Sequence, residues 1–266
     1  MKARSKIFLL VFVSFFISGH QPYQHNAKLP KSILDEILAR GYIEIGVTGD
    51  YVPFAYFDKH KNTLKGIDIE LAEKLALDLE VELRIVETTR SKLLYDLLNR
   101  KFDVAMSGIS RTLKRSLLNI MTTGYFETGK SLLVRNEDQS RFSTLKDVDK
   151  EGIKMGVNIG GTNEIFARQF IKKAEVIFFE NNLEIPQALL GGELDVMLTD
   201  NVEAKVLGDR IDELYAVDPY NPFNQEVVAF ALPPGDSKWL SFLNLWLLHQ
   251  IEVGEIDRLQ KVWIGE

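Results

Sequence analysis

Cysteine is absent from the 266 residues. No disulfide can staple the chain, no thiolate can act as nucleophile or metal ligand, and no leader cysteine can carry a lipid, so stability must come from a buried core alone. Histidine is scarce as well. Of the four, His20 and His25 lie close to the N-terminus, which leaves His60 and His249 and speaks against a histidine-based metal site. A block rich in Lys and Arg is missing, and the formal net charge is -6. Nucleic acid and anionic lipid both demand a concentrated positive field, so neither is an expected partner, and small solutes remain. The apolar run from Ile7 to Gly19 falls short of the roughly 20 residues that span a bilayer. Lys2, Arg4 and Lys6 precede it, the layout of a secretory signal peptide over residues 1–20, and export to the periplasm is expected, with an uncleaved anchor as the alternative.

What is present is the composition of an ordinary globular protein, 45% hydrophobic and 26% charged, enough for one large core or two medium ones. Ser32 and Gly41 bracket a short amphipathic pattern, as an N-cap and a C-terminal stop would, and predict a helix between them. Tyr42 to Val47 alternates apolar and polar residues like a strand. A turn at 58–63, a helix at about 68–79, a strand at 81–86, a helix at 91–99 and a short strand at 103–106 follow. The rhythm then restarts with a strand at 154–157, a loop at 158–162, a helix at 163–172, a strand at 175–179, a helix at 183–190 and a strand at 194–198. This alternation predicts an α/β fold of two tandem units, each a parallel sheet covered by helices. A last strand at 227–232, whose partner lies in either unit, leads through Pro233-Pro234-Gly235-Asp236 into apolar residues at helical spacing, among them Trp239, Leu243, Leu245, Trp246 and Leu247, which mark a buried face.

Ligands of open α/β sheets sit beyond the carboxyl ends of strands, so four loops carry the chemistry. In Thr48-Gly49-Asp50-Tyr51-Val52-Pro53-Phe54, Tyr51 and Phe54 offer an apolar wall with a hydroxyl, while Asp50 is either a ligand contact or a turn cap. Met106-Ser107-Gly108-Ile109-Ser110 reads as a strand end running into a helix start. There the Ser110 hydroxyl and backbone N–H groups would converge on an anion and Arg115 would clamp a carboxylate; otherwise Ser110 is an N-cap and Arg115 a solvated charge. Asn158-Ile159-Gly160-Gly161-Thr162 passes from strand to helix, with Thr162 offered to a second anionic group or serving as a cap. In Thr199-Asp200-Asn201-Val202-Glu203 the two carboxylates share one face of a helix, or form the two ends of a capping box.

These loops, with Asn163-Glu164, Phe166-Ala167-Arg168 and Ala204 beside them, resemble the type-3 extracellular solute-binding proteins, and within that family the cyclohexadienyl dehydratases, from about Lys31 to the C-terminus. The resemblance implies a type II periplasmic-binding-protein fold, two Rossmann-like lobes joined by a two-strand hinge, with lobe 1 at 31–132 plus 228–266 and lobe 2 at 133–227. It implies a small carboxylate-bearing substrate or amino acid held by Asp50, Tyr51, Ser107, Ser110, Arg115, Asn158, Thr162 and Asp200. Ser110, Arg115 and Thr162 would take a carboxylate and Asp200 an ammonium group. In a dehydratase Glu203 would be the general acid that helps prephenate become phenylpyruvate, or arogenate phenylalanine, with neither cofactor nor metal. The alternative is a periplasmic amino-acid-binding subunit of an ABC uptake transporter, whose further partner is a membrane permease. Two segments depart from the dehydratase pattern: Thr88-Thr89-Arg90-Ser91 where a Trp is usual, and Val228-Ala229-Phe230 where Lys-Ala-Tyr is usual. A cation at Arg90 suits a polar or anionic amino-acid ligand, as a binding protein would need.

Overall fold

The computed structural model describes residues 31–265, so the leader read at residues 1–20 lies outside it. Ser32 accepts a hydrogen bond from the Leu34 N–H, and Gly41 stops the helix in the left-handed conformation at φ 76°, so α1 (Ile33–Arg40) begins and ends where its caps predict. β1 (Tyr42–Val47) follows, and then β2 (Asp50–Tyr51), β3 (Ala55–Asp58) and β4 (Thr63–Lys65) form a small antiparallel sheet of their own. α2 (Ile67–Asp78), β5 (Glu82–Glu87), α3 (Leu93–Leu98) and β6 (Val104–Ser110) complete the first parallel unit, and α4 (Leu113–Ser116), β7 (Ile120–Met121) and β8 (Phe126–Thr128) lead out of it. The second unit comprises β9 (Lys130–Arg135), α5 (Leu145–Val148), β10 (Lys154–Asn158), α6 (Thr162–Phe170), β11 (Glu175–Phe179), α7 (Ile185–Leu190), β12 (Val196–Asp200), α8 (Asn201–Arg210) and β13 (Leu214–Val217). β14 (Glu226–Leu232), α9 (Ser237–Glu252) and α10 (Glu255–Ile264) end the fold.

Each large sheet is built around the first parallel strand of its unit: β1 lies between β5 and β6, and β10 between β11 and β12. Each also takes in antiparallel strands, giving the orders β5-β1-β6-β14-β7, with β8 on β14, and β11-β10-β12-β9-β13. The last strand therefore belongs to the first sheet. Two strands outrun their sequence signal because an antiparallel neighbour prolongs the ladder. β6 continues past Met106 to Ser110, which pairs with Val228, and β12 continues past Leu198 to Asp200, which pairs with Lys130. β9 gives no alternating pattern because its first five residues are all buried, as expected of a strand covered on both faces.

The chain passes from the first sheet to the second at Gly129 and returns between β13 and β14. The two passages are in contact. Glu226 pairs with Thr128, the Phe223 N–H donates to the Lys130 carbonyl at 2.7 Å, and a Cβ on Gly129 would stand 2.0 Å from the Asn224 carbonyl oxygen. No side chain fits at that crossing. Apolar clusters cover the first sheet: Trp239, Leu243 and Leu247 of α9 pack with Val104 and Met106, while Leu93 and Leu97 of α3 pack with Phe102 and Ala105. Burying each side chain of this size contributes about 1.5–3 kcal/mol. The apolar stripe of α9 is core, with Leu245 the exception at 67% exposure.

Candidate active site

The loops that follow β1, β5 and β6 meet those that follow β10, β11 and β12, the edge at which α/β sheets bind ligands. β9 and β14 run the other way, so it is their first residues, Lys130 and Glu226, that arrive at this edge. Tyr51, Arg90, Ser110, Arg115, Thr162 and Asp200 line a cavity of about 20 Å³ between the two sheets. That volume holds little more than one water, so the two halves must part to admit a ligand of several carbons. A groove of about 530 Å³ beside Tyr220 and Gln260 is larger, but the four loops line the smaller cavity.

Lys130 organises the charges. It has no exposed surface, and its ammonium donates to Asp200 Oδ1 at 2.5 Å, Thr162 Oγ1 at 2.8 Å and Glu226 Oε2 at 3.1 Å. The other Asp200 oxygen accepts the Tyr51 hydroxyl from the facing unit. Burial acts to raise the Glu226 carboxyl, yet the Lys130 charge and its hydrogen bonds outweigh it and hold the group below its ordinary value. Arg115 donates to the Ser110 carbonyl at 2.7 Å. Burial, and then the charge of Arg90, lower its guanidinium to about 10.

Glu203 lies behind this cluster, 1% exposed. Oε1 accepts from Asn182 Nδ2 at 2.6 Å and Oε2 accepts the Thr199 hydroxyl. Burial pushes its carboxyl up to about 8; the Thr199 hydrogen bond opposes the shift, and the charges of Asp200 and Asp50 add to it. Asn182 also donates its backbone N–H to Asp50 Oδ2 at 3.1 Å and its side-chain amide to the Asp50 carbonyl at 3.3 Å, so it ties Glu203 to the facing unit.

Several alternatives left open by the sequence are decided here. Asp50 does not cap a turn; it joins the two units through Asn182. Ser110 is a strand residue, and Thr112 is the cap of α4, accepting the Arg115 N–H at 3.2 Å. Gly161, not Thr162, precedes α6, and the Thr162 hydroxyl points to Ser110 Oγ at 3.2 Å and to Glu226 Oε2 at 3.1 Å. Asp200 stands at the N-cap of α8 with no side-chain capping bond, so Asp200 and Glu203 form no capping box. Asn158 lines the cavity and donates to the Phe179 carbonyl at 3.2 Å. Ser107 is not in the cavity wall. It is fully buried and binds the Thr48 N–H at 3.0 Å and the Thr48 hydroxyl at 2.9 Å, which fixes the loop after β1.

Lys130, Asn182 and Glu226 were not anticipated. Lys130 had a readable signal, a cation followed after Ser131 by the apolar run Leu132-Leu133-Val134. Glu226 and Asn182 had none, because a charge before a strand and an amide in a loop are usually solvated.

The chain is similar in sequence and fold to known proteins. The model of the bacterial extracellular solute-binding proteins, family 3, matches residues 43–266. The cyclohexadienyl dehydratase of Pseudomonas aeruginosa is 35% identical over 88% of this chain and 87% of its own. The L-cystine-binding protein TcyJ of Escherichia coli is 26% identical over the same shares. The crystal structure of an ancestral amino acid-binding protein, described as a precursor of cyclohexadienyl dehydratase, superposes with a TM-score of 0.82 at 33% identity, covering 88% of this chain and 100% of that one.

Proposed function

The chain belongs to the bacterial extracellular solute-binding proteins, family 3, and from that premise we propose that it is an exported dehydratase, acting in the periplasm on prephenate and its amine counterpart arogenate. One observation carries the reading: Glu203, buried directly behind the cavity wall formed by Asp200, is a carboxylic acid that burial pushes up to about 8. Holding a solute asks for no proton donor there, whereas expelling a ring hydroxyl does. The 35% identical relative that bears the dehydratase name supports the same reading.

In prephenate, the Glu203 proton passes to the ring hydroxyl, the C–O bond breaks and water departs. The bond between the ring and its carboxylate breaks at the same carbon skeleton, its electron pair completes the aromatic ring, and CO2 leaves. Phenylpyruvate remains, and Glu203 regains a proton from solvent. Arg115, with N–H groups to spare beyond the Ser110 carbonyl, holds a substrate carboxylate and fixes the ring against the acid.

The test incubates purified protein lacking residues 1–20 with prephenate and follows phenylpyruvate, beside Glu203→Gln. Turnover that depends on Glu203 supports the dehydratase. No turnover, with thermal stabilisation by one amino acid, would make the protein the receptor of an uptake transporter.

A further inference from the structure

α8 lies between the two units. Val202 and Val206 on one side pack into an apolar cluster of the first unit, and Ala204 and Leu207 on the other pack into one of the second. Glu203 stands in its first turn, so the lie of α8 sets the place of the carboxyl group. At this near end Asn182 ties Glu203 to Asp50 of the first unit.

The far end of α8 is held to the first unit as well. Arg210, its last residue, donates from Nη1 to the Tyr56 hydroxyl at 2.9 Å and from Nη2 to the Trp263 carbonyl at 3.3 Å. One turn earlier, Lys205 donates to the Ile264 carbonyl at 3.1 Å while pairing with Asp209 of its own helix at 2.7 Å. Trp263 and Ile264 end α10, which packs into the cluster of the first unit through Ile256 and Leu259. The last carbonyls of a helix have no partner within it and carry the negative end of its dipole, so they attract cations. Here the cations come from a helix of the other unit. Tyr56 is the register partner of Asp50, so both ends of α8 reach one rung of the same small sheet.

We propose that Lys205 and Arg210 are positioning residues: by capping the C-terminus of α10 they hold the two units closed and keep Glu203 against the cavity wall. Neither lines the cavity, so their effect on a ligand passes through the closed form. The consequence for turnover rests on the dehydratase reading; the consequence for closure does not.

The experiment compares wild type, Lys205→Gln, Arg210→Gln and the double variant by small-angle X-ray scattering without ligand and by turnover of prephenate. The radius of gyration, about 18 Å for a compact chain of this size, is expected to rise by about 1 Å in the double variant as the units part. The value of kcat/KM is expected to fall about threefold in each single variant and about tenfold in the double, because less of the protein is closed at any moment. Arg210→Lys, which keeps a cation for the Trp263 carbonyl, is expected to recover part of both effects. Should the double variant fail to fold, Tyr56→Phe, which removes a single acceptor oxygen, is expected to show the same expansion to a smaller degree. An unchanged radius of gyration in a folded double variant would overturn the proposal, whether or not turnover falls. Expansion in the variants of a protein that turns over no prephenate would leave this inference standing and sink the dehydratase alone.

Discussion

Lys130 and Asp200 are register partners on the neighbouring antiparallel strands β9 and β12, and their side chains meet at 2.5 Å with almost no exposed surface on either. Directly opposed residues on one face of a sheet are held at side-chain contact, so the backbone register itself forms the pair. Its remaining hydrogen-bonding capacity is met by Thr162, Glu226 and Tyr51. A buried pair of this kind becomes costly when one member is removed.

Lys130→Met is accordingly expected to destabilise the protein by roughly 3–5 kcal/mol, because Asp200 and Glu226 would lose the buried cation they share. Adding Asp200→Asn should recover part of that loss. Urea unfolding of the single and double variants checks both statements, and strictly additive losses would show that the two residues are not coupled.

Glu203 makes stability depend on pH. Its folded carboxyl is raised from 4.5 to about 8, so its contribution is complete below the unfolded value and is lost as pH rises through the window up to about 8. Within that window the unfolded chain releases a proton that the folded chain retains, and the slope approaches about 1.4 kcal/mol per pH unit. Asp68, also raised by burial, to about 6, contributes in the lower part of the same window. Unfolding curves of wild type and Glu203→Gln across pH 4–9 isolate the Glu203 share, and parallel pH profiles would refute it.

Turnover should follow the same proton. Activity is expected to fall as pH rises past about 8, the value for Glu203. Thr199→Val, which removes a hydrogen bond that favours the charged form, should move that limb upward by up to about one unit. The kcat/KM profile of the two proteins reads the shift, and a limb that moves downward would contradict the assignment of Glu203 as the acid.

Gly129→Ala tests the crossing between the two sheets. With a Cβ forced to within 2.0 Å of the Asn224 carbonyl, one passage must shift, at a cost of about 1–3 kcal/mol. Thermal unfolding reads the loss, and an unchanged midpoint would mean that the passages separate freely.

Much of this was legible beforehand. The caps of α1, the β-α alternation of both units and the four loops at strand ends were all local patterns, and they brought Tyr51, Ser110, Arg115, Asn158, Thr162 and Asp200 into one cavity wall. Ser107 was misplaced because a hydroxyl reads alike whether it faces a ligand or ties down a loop; β6 runs on to Ser110, and Ser107 turns to Thr48. β9, β13 and the small sheet of β2 to β4 were missed because a short strand, or one covered on both faces, leaves no alternation to read.

By itself the sequence determined the α/β rhythm, the want of thiols and clustered imidazoles, and which loops carry polar side chains, because each depends on composition or on residues a few positions apart. Tertiary structure alone decided which of those side chains are charged and which are paired. Lys130 meets Asp200 across 70 positions of chain, Asp50 meets Asn182 across 132, and the Glu203 carboxyl is raised chiefly because it is buried. Partnership and burial at that range follow from strand register and from the meeting of two sheets, which no local pattern encodes.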